Sequence, residues 1–156
     1  MKRIALVTVA LTAFLGGAPP APAKAPSFAL WWKGFSARVQ RDITRIERAC
    51  EGRFGRNDAK VGACFVKAER VSLRLEGEAM RKQIAIISRG QTASCKKAIH
   101  VYWLASRKAA KVNLIYLDSH PHVAVTRLSR DLNRKPYTTL KMHTFRAKSE
   151  AIRICG

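Results

Sequence analysis

The chain has 156 residues, 30 Lys and Arg against 10 Asp and Glu, and a formal charge of +20 at pH 7. That length suits one domain with a core of its own rather than several. The charge argues against basic partners and points to polyanions, although it also serves solubility whatever the protein binds.

The chain opens MKRIALVTVALTAFLGGAPPAPAKAPS, which reads as an export signal. Lys2 and Arg3 give a positive start, residues 4–15 an apolar run, and Ala21, Pro22 and Ala23 the small residues that a signal peptidase reads. The run is roughly 12 residues, short of the roughly 20 that span a bilayer, and an uncleaved anchor is the alternative. The expected division is a signal peptide over 1–23, a linker over 24–27 and a single helical domain over 28–156, periplasmic or extracellular. Losing Lys2 and Arg3 with the leader takes the formal charge from +20 to +18. Export makes intracellular nucleic acid an unexpected partner. An anionic envelope polymer, an anionic lipid surface or an acidic protein remains.

Export also bears on the cysteines. Cys50, Cys64, Cys95 and Cys155 all follow the leader, and an oxidising compartment turns an even number of them into disulfides. No C-x₂-C or Cys/His cluster suggests zinc. Four cysteines allow three pairings. Cys50 ends one predicted helix and Cys64 lies in the early turns of the next, so a short connection brings them together. That leaves Cys95 for Cys155.

The first predicted helix carries Phe28, Trp32, Phe35, Val39, Ile43, Ile46 and Cys50 at steps of 4, 3, 4, 4, 3 and 4, one face of a helix. Arg38, Arg41, Asp42, Arg45 and Arg48 lie off that face. Gly52 and Gly55 end it, and Asn57-Asp58 can cap the next. A second helix over 59–88 presents Val61, Phe65, Ala68, Val71, Leu75, Ala79 and Ile84, weakened by Gly62 and Gly77 at ~1 kcal/mol each. Gly90 stops it, and Thr92 or Ser94 opens a third helix with Cys95, Ile99, Tyr102, Ala105, Ala109, Val112 and Tyr116 on its apolar arc. Asp118-Ser119-His120-Pro121 has the character of a helix start. A short helix through Val125, Leu128 and Leu132 follows, ended by Pro136. The expectation is an all-α small helical bundle stapled by two disulfides. The alternative is α+β with short strands in the C-terminal half, because IAIIS (84–88), NLIYL (113–117) and the threonine-rich stretch 137–145 suit strands as well.

Chemistry is sparse. His120 and His122 flank a proline near Asp118, with His100 and His143 far away in sequence, which fits a surface turn better than a metal site. Glu76 and Glu78 are two apart and do not share a helix face. No catalytic or cofactor motif occurs, so no catalytic residue, metal ligand or cofactor is expected.

Two stretches suit binding. Trp31, Trp32 and Phe35 sit among basic residues, as in an interfacial membrane helix; the other reading packs them in the bundle core. In CKKAIHVYWLASRKAAK, Lys96, His100, Trp103, Arg107 and Lys111 share one side of a helix at steps of 4, 3, 4 and 4. An indole among cations can engage a charged polymer or an acidic partner. The plainer reading is a solvated face whose tryptophan folds over the edge of the core.

Within that stretch YWLASRKA resembles the A-W-L-x-Y-R-D-A segment of the LprI-type lysozyme inhibitors. Cys50 and Cys64, followed by a long helix with Leu73 and Leu75, are similar to that family's early cysteine pair. The likeness covers residues 50–111. Ser106 and Lys108 stand where the family has Tyr and Asp, and the later cysteines are at 95 and 155 rather than near 111. The resemblance implies a small exported helical fold with two disulfides and, for activity, inhibition of a lysozyme. A basic lysozyme would meet this chain against like-charge repulsion. The function expected from the residues is a basic, exported helical binding protein, oligomeric state unspecified. Its alternatives are a membrane-active cationic protein and a small secreted hydrolase.

Overall fold

The computed structural model describes residues 27–156; the expected signal peptide and nearly all of the linker lie outside the described residues. Five α-helices follow one another: α1 (Phe28–Phe54), α2 (Asp58–Ile87), α3 (Ala93–Ser119), α4 (Val125–Leu132) and α5 (Tyr137–Cys155). No strand occurs among the described residues. The segments 84–88, 113–117 and 137–145 are helical or, at Ser88, the helix end. The strand alternative for the C-terminal half is therefore corrected to α-helix throughout.

Helix ends obey local chemistry. Ser27 Oγ accepts the amide of Leu30, Asn57 Oδ1 that of Lys60, and Thr92 Oγ1 that of Cys95, each satisfying a first-turn donor. α1 continues through Gly52 and stops at Gly55, whose φ of 59° lies where glycine is favoured. Residues 118–121 do not open a helix: Asp118 and Ser119 finish α3, and α4 starts at Val125.

Disulfides join Cys50 to Cys64 and Cys95 to Cys155, and no cysteine is free. The first clamps the end of α1 to the start of α2; the second clamps the start of α3 to the end of α5. Trp31 Nε1 donates to Gln83 Oε1 at 2.9 Å, so α1 and α2 stay paired as an antiparallel hairpin to their far ends. Tyr116 and Tyr137 meet at 5.6 Å, making α3 and α5 a second antiparallel pair, the most extensive packing in the molecule.

Two apolar clusters result. One gathers Phe28, Ile87, Cys95, Ala98, Ile99, Tyr102 and Ala151. The other gathers Val66, Tyr116, Leu117, Val123 and Leu128, with Leu73 and Leu132 beside it. Tyr102 is enclosed by Phe28, Trp31 and Trp32 at 5.4–6.5 Å, and this burial pushes its phenol up to about 12.

The inward face of α2 differs from expectation. Val71 and Leu75 are 56% and 62% exposed, whereas Val61, Gly62, Val66 and Ile87 are buried and Leu73, Met80 and Ile84 pack against the clusters. Gly62 is required there: a β-carbon would overlap the carbonyl oxygen of Val123, so its absence lets the chain before α4 lie directly on α2.

Candidate functional site: the outer face of α3

α3 is fixed from both sides. Its buried line, Cys95, Ala98, Ile99, Tyr102, Tyr116 and Leu117, faces α2 and α5, and the Cys95–Cys155 bond holds its first turn. The opposite half is therefore presented on a rigid rod rather than on a loop.

On that half lie Lys96, His100, Arg107 and Lys111, all exposed, with Trp103 half-buried at the boundary. The helix brings all five together along a line of about 22 Å at 1.5 Å per residue. Trp103 is its centre. The His100 ring lies 5.6 Å from the indole, and the Arg107 guanidinium stands over it at 5.6 Å, within cation–π range. No acid occurs between Glu78 and Asp118, so the line has no internal anion to neutralise it.

The exposed half is broader than the cation line. Lys97 and Lys108 continue it around the helix, and Val101 and Leu104 beside them are 49% and 46% exposed. A search for cations at helical spacing passes over these apolar neighbours. Their signal in the sequence is the i, i+4, i+7, i+11 set Lys97, Val101, Leu104 and Lys108.

Trp31, Trp32 and Phe35 occupy a different region, the start of α1. Phe35 is buried, stacked on Trp31 at 5.1 Å, and both indoles are half-buried against Tyr102. Lys148 of α5 stands 5.6 Å from the Trp32 ring and 4.4 Å from that of Phe145. These aromatics act as core cement between α1, α2, α3 and α5.

Among the histidines, His120 stacks on Tyr116 at 4.3 Å and donates from Nδ1 to the Tyr116 carbonyl at 2.9 Å, which commits it to the end of α3. Tyr116 in turn donates to Asp131 Oδ2 at 2.7 Å, and this hydrogen bond holds the carboxyl below the usual range.

One group of acids escaped the sequence reading. Glu69 of α2 is largely buried, and this burial, reinforced by the charges of Glu76 and Glu47, raises its pKa from 4.5 to about 7. Its Oε2 is buried without a hydrogen-bond partner. Glu69 and Glu76 are seven apart and share a face, which the pair Glu76 and Glu78 does not. No group of three or more His, Cys, Asp or Glu able to hold a metal occurs among the described residues. The chain matches no protein-family model, no curated protein and no solved structure.

Proposed function

We propose that the protein is an exported, strongly basic helical binding protein that holds an acidic partner on the outer face of α3. The observation carrying this reading is the arrangement of the exposed Lys96, His100, Arg107 and Lys111 and the half-buried Trp103 in one line, with Arg107 over the Trp103 ring. Cations supply attraction and orientation, and the indole supplies contact area at low conformational cost. The exposed Val101 and Leu104 favour a partner that carries apolar groups among its acids, such as an acidic protein surface, over a bare anionic polymer.

Two disulfides support an oxidising, exported setting, and no helix among the described residues is long and apolar enough to cross a membrane. A kinship with the LprI-type inhibitors belongs to the same proposal and rests on the sequence resemblance over residues 50–111 alone. Unchanged lysozyme turnover in the presence of the protein would remove that part alone.

The binding reading is tested by affinity capture from envelope extract at low and high salt, with wild type and a Lys96→Ala/Arg107→Ala/Lys111→Ala variant side by side. A partner retained by the wild type, released by salt and lost by the variant is the expected result. Identical capture by both proteins would contradict it.

A further inference from the structure

The molecule carries a second candidate site of opposite charge. A groove of about 220 Å³ runs between the end of α1, the start of α2 and α4. Its floor and far wall are apolar, formed by Val61 and Phe65 of α2 and by Val125, Leu128 and Leu132 of α4. Its near wall is acidic, formed by Glu47 and Glu51 one helical turn apart on α1.

Three features make this a held shape rather than a gap between loose helices. The Cys50–Cys64 disulfide, adjacent in sequence to both Glu51 and Phe65, locks α1 onto α2 at the groove. The close approach of Val123 to Gly62 seats the chain before α4 on α2. Thr126 Oγ1 donates to Asp58 Oδ2 at 2.8 Å and ties the first turn of α4 to the first turn of α2. Both walls are thus anchored to one floor, and an occupant need not bear the cost of forming the site.

The charge is equally specific. Glu47 and Glu51 are exposed, form no ion pair among the described residues, and repel each other at i, i+4. At 100° per residue, Val125, Leu128, Ser129 and Leu132 face the groove while Arg127 and Arg130 lie on the other side of α4. Arg127 is directed to Asp131 at 3.7 Å. An acidic mouth on an apolar slot, in a chain that is otherwise overwhelmingly basic, is complementary to one kind of ligand.

We propose that this groove binds a small amphiphilic cation, an apolar chain or ring bearing one ammonium or amidinium group. The apolar body lies against Val61, Phe65, Leu128 and Leu132, and the charge sits between the carboxylates of Glu47 and Glu51. The volume is below the roughly 300–1,000 Å³ of drug-sized sites, so the ligand is a single short chain or ring. Because the net charge of the protein repels cations, association here must come from the local carboxylates and the apolar slot.

The test is titration of the disulfide-bonded protein with n-octylammonium, octanol and octanoate, each below its micelle concentration, followed by NMR of side-chain methyl and aromatic signals. Octylammonium should shift Val61, Phe65, Leu128 and Leu132 saturably, octanol more weakly, and octanoate not at these residues. Glu47→Gln/Glu51→Gln should weaken octylammonium about tenfold while leaving octanol unchanged. Ser129→Phe, which fills the groove from an exposed position, should abolish both at unchanged helicity. Octanoate binding at these residues as well as octylammonium, no saturable shift there, or undiminished ammonium affinity in the double glutamine variant would each overturn the proposal.

Discussion

Gly62 of α2 lies against the backbone carbonyl of Val123, with no room for a β-carbon between them. Gly77, fifteen residues along the same helix, has nothing within 4 Å of its β-position. By helix propensity alone both should gain ~1 kcal/mol on substitution by alanine. Gly77→Ala should therefore raise stability by up to about 1 kcal/mol, whereas Gly62→Ala should lower it by ~1–3 kcal/mol through overpacking. Urea denaturation of the two variants checks this; equal shifts in the same direction would refute the assigned role of Gly62.

The α2 face shows where a sequence could and could not be read. On α1 the apolar positions repeat without interruption from Phe28 to Cys50, and those at either end are buried. On α2 the inward line passes through Glu69 and Glu76, and Gly62 occupies another inward position. Polar and small residues on the inward line break the apolar period, so a reading based on apolarity drifts to Val71 and Leu75, which face outward. The strand-like segments failed for another reason. IAIIS and NLIYL have β-branched residues that suit either state, and packing between helices decided the matter. The α3 line was legible because one helix supplies it whole. The groove was not, because Glu47, Phe65 and Leu132 come from three helices and meet only in the fold.

Glu69 should make stability depend on pH with a definite sign. Its carboxyl titrates at about 7 when folded, through burial first and then Glu76 and Glu47, against an ordinary value of 4.5. Between those values the native state holds a proton that the unfolded chain has released, so stability is full below pH 4.5 and is lost as pH rises through 7. The distance corresponds to at most roughly 3 kcal/mol. Asp131 and Glu150, both held low by hydrogen bonds, act in the opposite direction and below pH 4.5. Melting temperatures at pH 5 and pH 8 should therefore diverge in the wild type. Glu69→Gln should narrow the gap, by gaining stability at pH 8. An unchanged gap would mean that Glu69 ionises freely.

The two disulfides should contribute unequally. Cys50 and Cys64 are 14 residues apart and Cys95 and Cys155 are 60 apart. In the chain-entropy account, closing the shorter loop is worth about 3 kcal/mol and the longer about 4. Cys95→Ser/Cys155→Ser should therefore be the more destabilised double variant in denaturant titrations under non-reducing conditions. The Cys50→Ser/Cys64→Ser variant should also lose octylammonium binding, since that bond holds one wall of the groove. A more stable Cys95/Cys155 variant would show that native packing, not loop closure, sets the order.

Binding kinetics of Trp103→Ala, Arg107→Ala and Lys111→Ala, measured with melting temperatures on the same samples, bear most directly on the α3 face. The attraction is screened with a Debye length of ~8 Å at physiological salt, so wild-type affinity for the captured acidic partner should fall steeply with ionic strength. Arg107→Ala and Lys111→Ala should slow association, because exposed charges act mainly on encounter. Trp103→Ala should speed dissociation by an amount equivalent to ~2 kcal/mol, as expected of an aromatic anchor. Salt-insensitive binding, with unchanged rates in all three variants and only a lowered melting temperature for Trp103→Ala, would reduce the indole to a cover for the core edge and contradict the site.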